Sequence, residues 1–132
     1  MAETRGSDEE AIRRTLAAYC QTCDDGRFEE FASLFVASAV LHVPPGHPVK
    51  GREAIRQFME AAQPPEARGK HLCGEPLIAW SGDEAEVTTD FVFVGRRGDR
   101  GWSITATGRY HDRLARDPDG SWRFTTRTIL ML

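Results

Sequence analysis

Apolar residues in the first part of the chain recur at helical spacing. Ile12, Leu16, Tyr19, Cys20 and Cys23 fall mainly three or four apart, which puts them on one stripe of a helix. Ser7-Asp8-Glu9-Glu10 fits a capping box, with the Ser side chain accepting the N3 amide and Glu10 reaching back. The helix is expected to end near Asp24-Asp25-Gly26, with Gly26 as the breaker. Phe28, Phe31, Leu34 and Phe35 repeat the helical spacing and predict a second short helix. Val40-Leu41-His42-Val43 reads as a short strand cut off by Pro44-Pro45-Gly46. Gly51-Arg52-Glu53 opens a third helix carrying Ile55, Phe58 and Met59, stopped by Pro64-Pro65.

The period then changes. Four β-rich stretches follow, at 71–81, 84–96, 101–113 and 121–131, separated by the turn signals Ser81-Gly82-Asp83, Arg97-Gly98-Asp99 and Asp117-Pro118-Asp119-Gly120. Turns this short pair consecutive strands antiparallel. Helices first and a strand meander afterwards is an α+β order. Glu75-Pro76 interrupts the first long strand, which predicts a bulge or an edge and a bent sheet.

Length and charge narrow the field. The 132 residues suit one domain spanning 1–132, with 1–6 expected to be flexible. Lys+Arg 17 against Asp+Glu 20 gives a net charge of −3, without the excess of basic charge that a general nucleic-acid binder needs. No apolar run approaches the ~18 residues of a membrane span. The N-terminal stretch has no apolar signal core, so a cytoplasmic location is expected. Cys20, Cys23 and Cys73 then read as reduced thiols. Cys20-x-x-Cys23 lies late in a predicted helix and lacks a second ligand pair at zinc spacing, so small buried side chains are the favoured reading.

Four polar groups stand where the pattern expects apolar or small residues. Asp24 ends the first helix, on the same end of the face as Tyr19. His71 begins the first long strand. Asp90 sits between Val87 and Val94, and Arg127 lies near Ile129 and Leu130. Each also has a purely structural reading: Tyr19 as a core aromatic, Asp24 as a helix-end residue, His71 on an edge strand, Asp90 and Arg127 as a register-fixing ion pair. Tyr110 and His111 alternate, so they point to opposite faces, with Tyr110 the inward candidate.

Taken in order, these features resemble the SnoaL-like branch of the nuclear transport factor 2-like superfamily. The resemblance runs from Ile12 to Ile129. It is carried by Tyr19-x4-Asp24-x-Gly26-x-Phe28-x2-Phe31-x2-Leu34-Phe35, Val40-Leu41-His42-Val43, Gly51-Arg52-Glu53-Ala54-Ile55-x2-Phe58 and Lys70-His71. It continues through Gly82-Asp83-x-Ala85-x-Val87, Gly108-Arg109-Tyr110-x-Asp112 and Gly120-x-Trp122-Arg123-Phe124-x2-Arg127. The branch includes scytalone dehydratases, ketosteroid isomerases and polyketide cyclases. The resemblance implies a cone: a curved, mixed, mostly antiparallel sheet around a pocket closed by three N-terminal helices.

It also implies a site. Scytalone dehydratase-like members pair an aspartate at the end of the first helix with a histidine on the first long strand, and Asp24 and His71 occupy those positions. Bile-acid 7α-dehydratases use Tyr, Asp, His, Asp and Arg in that order, matched in spacing by Tyr19, Asp24, His71, Asp90 and Arg127. Such a set suits elimination of water beside a carbonyl: His71 as proton shuttle, Asp24 fixing its tautomer, Tyr19 donating to the developing enolate, Asp90 and Arg127 positioning substrate and balancing charge. Isomerisation and cyclisation share the enolate and run on the same pieces, and the fold also serves as a non-catalytic ligand-binding domain. Tyr110, Phe58, His42 and Trp102 are the candidate substrate-binding residues. The expected partner is a small hydrophobic carbonyl compound, with no cofactor, metal, nucleic acid or membrane, and with assembly as a homodimer or higher homo-oligomer.

Overall fold

A computed structural model describes residues 2–132, with side chains from Arg5 onward. Helix α1 (Ala2–Asp24) is followed by α2 (Phe28–Ser33), β1 (Phe35–His42), β2 (Val49–Lys50) and α3 (Arg52–Ala62). The second half is β3 (Lys70–Cys73), β4 (Leu77–Ser81), β5 (Glu84–Arg96), β6 (Trp102–Arg116) and β7 (Trp122–Met131). The fold is α+β. Three helices pack on one curved, unclosed seven-stranded sheet in the order β2-β1-β7-β6-β5-β3, with β4 also on β5. Among the described residues only β1 and β7 pair parallel; the other pairs are antiparallel. Register shifts at Phe93/Val94, Arg113/Leu114 and Phe35/Val40 bend the long strands, as bulges do.

The core is the concave face. Along β5, Ala85, Val87, Thr89 and Phe91 point in; along β6, Gly108, Tyr110, Asp112 and Leu114 do the same. Ile12, Leu16, Tyr19 and Cys23 of α1 close over them, with Phe28 and Phe31 of α2 and Ile55 and Met59 of α3. Gly108 is needed for this packing: a Cβ there would collide with the Phe91 ring, which stacks on Tyr110 at 4.3 Å. The outer face carries cross-strand ion pairs, Asp90–Arg109 and Glu86–Arg113.

Several local expectations give way to tertiary contacts. The helix starts at Ala2, so the capping box at Ser7 does not form; of the stretch 1–6, residue 1 lies outside the described residues. Arg5 lies 4.4 Å over the Trp80 ring, and Asp8 accepts a 3.0 Å bond from the Trp122 indole, which continue the helix backwards along β4 and β7. Phe35 opens β1 instead of ending α2, because its backbone joins the parallel ladder opposite Phe124. The stretch expected as one strand from 71 to 81 is two: Gly74 still donates to the Asp90 carbonyl, and the ladder resumes at Leu77. Pro76 has no amide to give it in between.

Candidate functional site

Alpha1 and β3 run side by side in opposite directions. Residues four apart on a helix rise ~6 Å, and residues two apart on a strand span ~6.6 Å, so the two series stay in step. Two contacts join them: Asp24 meets His71 and Cys20 meets Cys73, and just beyond β3 the Arg13 side chain reaches Glu75 at 2.7 Å. Between these rungs opens a cleft of about 570 Å³, lined by Leu16, Ala17, Gln21, Lys70, Leu72, Pro76 and Thr89 together with Arg13, Cys20, Asp24, His71 and Cys73.

Asp24 is the last residue of α1. Gly26, at φ 71°, turns the chain away there, and Arg27 N–H closes back on the Thr22 carbonyl at 2.8 Å. The carboxylate of Asp24 therefore faces β3. Oδ1 lies 2.6 Å from His71 Nδ1, and Oδ2 accepts the His71 backbone amide at 3.0 Å. β3 is an edge strand, so that amide is free of the ladder to β5. The two side chains are 5% and 10% exposed, enough burial to strengthen the bond while the ring still borders the cleft. An ionised Asp24 makes Nδ1 the protonated nitrogen and leaves Nε2 as the basic one. The His71 ring is held from the other side by Phe93, at 4.8 Å between centroids.

Tyr19 and Arg127 lie behind this pair, not on the cleft wall. Tyr19 meets the His71 ring edge-on at 6.3 Å. Arg127 is fully buried under three aromatic faces, 3.5 Å from the Tyr110 centroid, 4.0 Å from Tyr19 and 4.6 Å from Phe124. Burial pushes the phenols of Tyr19 and Tyr110 well above their ordinary range, so both stay protonated.

Asp90 is not part of this group. The inward parity of Thr89 and Phe91 turns it outward, where it is mostly exposed and pairs with Arg109 at 2.5 Å. The carboxylate that meets Arg127 is Asp112, at 2.9 Å from Nε. Sequence reasoning missed it, although its two-residue offset from the inward Tyr110 was the available signal. Asp112 Oδ2 and Arg127 Nη1 find no hydrogen-bond partner among the described residues. Burial raises the Asp112 carboxyl to about 6, only partly opposed by Arg127.

The four candidate substrate contacts do not line the cleft. Tyr110 is locked in the core. Phe58 sits on the flank of α3, offset from the Ile55–Met59 stripe. His42 ends β1, near the opposite edge of the sheet, with Nε2 3.2 Å from the Gly46 carbonyl oxygen. Trp102 opens β6 on the surface, with Arg96 4.6 Å over its ring. The concave face is filled by its own aromatic side chains, and the cleft beside Asp24 and His71 lies along α1 and β3 instead. Among the described residues no three His, Cys, Asp or Glu side chains converge as a metal site would require, and no helix is long and apolar enough to cross a membrane.

This architecture, a helix-covered curved sheet with a cleft at one edge, is that of the SnoaL-type proteins. The SnoaL-like domain family matches residues 4–128, and the chain belongs to it. Among solved structures, a scytalone dehydratase candidate from Novosphingobium aromaticivorans is 26% identical over 100% of this chain and 89% of its own, with a TM-score of 0.87. An aspartate-to-asparagine variant of Rv3472, a protein of unknown function from Mycobacterium tuberculosis, is 29% identical over 92% of this chain and 70% of its own, at 0.83. A Catenulispora acidiphila protein in complex with S-DNPA shares the fold at 23% identity and a TM-score of 0.82, covering 92% of this chain and 91% of its own. No curated protein matches the sequence.

Proposed function

We propose that the chain is a cofactor-independent lyase that removes water from a small hydrophobic β-hydroxy carbonyl compound, with Asp24 and His71 as its acid–base pair. The observation that carries this reading is the 2.6 Å contact between Asp24 and His71 Nδ1 at the wall of a 570 Å³ cleft. His71 Nε2 takes the proton from the carbon next to the carbonyl, and its electron pair forms the enolate. The imidazolium, balanced by Asp24, then returns the proton to the leaving hydroxyl as the C–O bond breaks, yielding the enone and one water. Leu16, Ala17, Leu72 and Pro76 provide apolar surface for the substrate's body. Likeness to the scytalone dehydratase candidate supports the same chemistry. Tyr19 is a positioning residue in this reading, its ring edge-on to the imidazole, and Arg127 packs on Tyr19 rather than touching substrate. A cytoplasmic homodimer is the assembly it takes, with exposed Ile104 and Met131 of neighbouring strands as the contact.

The test is incubation with a panel of β-hydroxy ketones and thioesters, followed by enone absorbance and by deuterium exchange at the α-carbon. The expected result is elimination by the native protein and loss of at least about 10²-fold in His71→Ala and Asp24→Asn, the usual scale of general acid–base catalysis. Exchange without elimination makes the protein an isomerase or cyclase on the same pair. Binding without exchange, or full activity in both variants, overturns the acid–base assignment.

A further inference from the structure

Two thiols lie on the rung next to Asp24 and His71, and nothing in the dehydration chemistry uses them. Cys20 Sγ and Cys73 Sγ are 3.4 Å apart, in the same cleft wall, and both are free thiols. The spacing is set by the elements themselves: Cys20 is one helical turn before Asp24, and Cys73 is two strand positions after His71, so closure to a sulfur–sulfur bond of ~2 Å needs side-chain rotation and little more. We propose that Cys20 and Cys73 are a reversible oxidation site, closed to a disulfide by hydrogen peroxide or a related small peroxide.

The two sulfurs have different roles. Cys73 is the exposed member, on the edge strand. The hydrogen bond from Cys20 lowers its thiol's pKa, and Arg127 adds to this against burial, which favours the thiolate. Cys20 is buried, and the bond to Cys73 and burial hold it protonated, so it is the resolving thiol. The Cys73 thiolate attacks one peroxide oxygen. The S–O bond forms, the O–O bond breaks, and hydroxide leaves and is protonated to water. The Cys20 sulfur then attacks Cys73. The S–S bond forms, the S–O bond breaks, and the departing hydroxide takes the Cys20 proton as a second water. Two thiols are oxidised by two electrons and one peroxide is reduced. Cys23 serves as an internal control: it is fully buried, its thiol is pushed up to about 12, and among the described residues its sulfur bonds to no other.

The bond would tie α1 to β3 across a separation of 53 residues and stiffen the cleft wall beside His71. The test is read in thiols rather than turnover, so it stands whether or not the chain is a lyase. The reduced full-length protein is treated with one equivalent of hydrogen peroxide and unfolded in an alkylating reagent. Alkylatable thiols should fall from three to one, with the remaining one at Cys23. Peptide mapping should find Cys20 joined to Cys73, the melting temperature should rise, and dithiothreitol should reverse all three. In Cys73→Ser, Cys20 and Cys23 should both stay alkylatable. In Cys20→Ser, Cys73 should accumulate as a sulfenic acid trapped by dimedone. Should Cys20→Ser not fold, Cys73→Ser and the native map decide alone. A disulfide between chains, a Cys20–Cys23 link, or three thiols surviving the peroxide would overturn the proposal.

Discussion

Asp24 holds His71 at two points, the ring Nδ1 at 2.6 Å and the backbone amide at 3.0 Å. One carboxylate thus fixes both where the edge strand lies and which ring nitrogen carries the proton. A side chain at a helix end and an amide at a free sheet edge are each unsatisfied by regular structure, and here they satisfy one another.

That double contact separates two effects of mutation. Asp24→Asn preserves size but loses the charge that balances an imidazolium. It should lower kcat by about 10²–10⁴-fold with a smaller change in KM. Asp24→Ala also strands the His71 amide and should cost an additional 1–3 kcal/mol or so of stability, measured by urea unfolding.

The Arg127–Asp112 pair is buried and serves packing of the aromatic core. Arg127→Met alone leaves a carboxylate without its cation and should destabilise by roughly 3–5 kcal/mol. The double variant Arg127→Met with Asp112→Leu should recover most of that loss, because replacing both charges removes the desolvation cost as well as the attraction. A double variant no more stable than Arg127→Met would mean that the cation's contacts with Tyr19 and Tyr110 dominate.

Asp112 also sets a pH dependence. Its folded carboxyl sits at about 6 against an ordinary value of 3.8, with burial as the main cause. Between those values the folded state keeps a proton that the unfolded chain has released, so stability falls as pH rises through this window and levels off above it. The benefit is fully present below the ordinary value. Denaturation midpoints across this range should show the decline in the native protein and a shallower one in Asp112→Asn.

Asp90 provides the contrast. Its side chain is exposed and, among the described residues, engaged only with Arg109 on the outer face. Asp90→Ala should leave turnover and melting temperature close to native, in line with the small worth of surface ion pairs. A large loss of turnover would place the outer face of β5 in the reaction.

Much of the architecture is legible locally. The stripe Ile12, Leu16, Tyr19 and Cys23, the breaker Gly26 and the inward alternation at Tyr110 follow from periods of 3.6 and 2, which depend on a residue's near neighbours alone. Asp24 and His71 stand out as polar residues at element ends. The failures share a different cause. Alternation from Tyr110 to Leu114 turns Asp112 inward, but only the register of β6 on β7 brings it opposite Arg127, while the register of β5 on β6 sets Asp90 opposite Arg109 on the outer face. Phe58, His42 and Trp102 are aromatic, but no period tells which face the cleft occupies.

The cysteines mark the boundary most clearly. In sequence, Cys20 and Cys23 form the conspicuous pair. In space, Cys20 meets Cys73 instead, because a helix places residues three apart beside one another along its own surface while a strand delivers a partner from across the fold. Sequence alone determined the three helices, the strand meander that follows them and the family, and it pointed to the two residues of the candidate acid–base pair. Tertiary structure decided which charges are inside, which thiols touch and where the cleft opens, since each of these depends on residues brought together from distant parts of the chain.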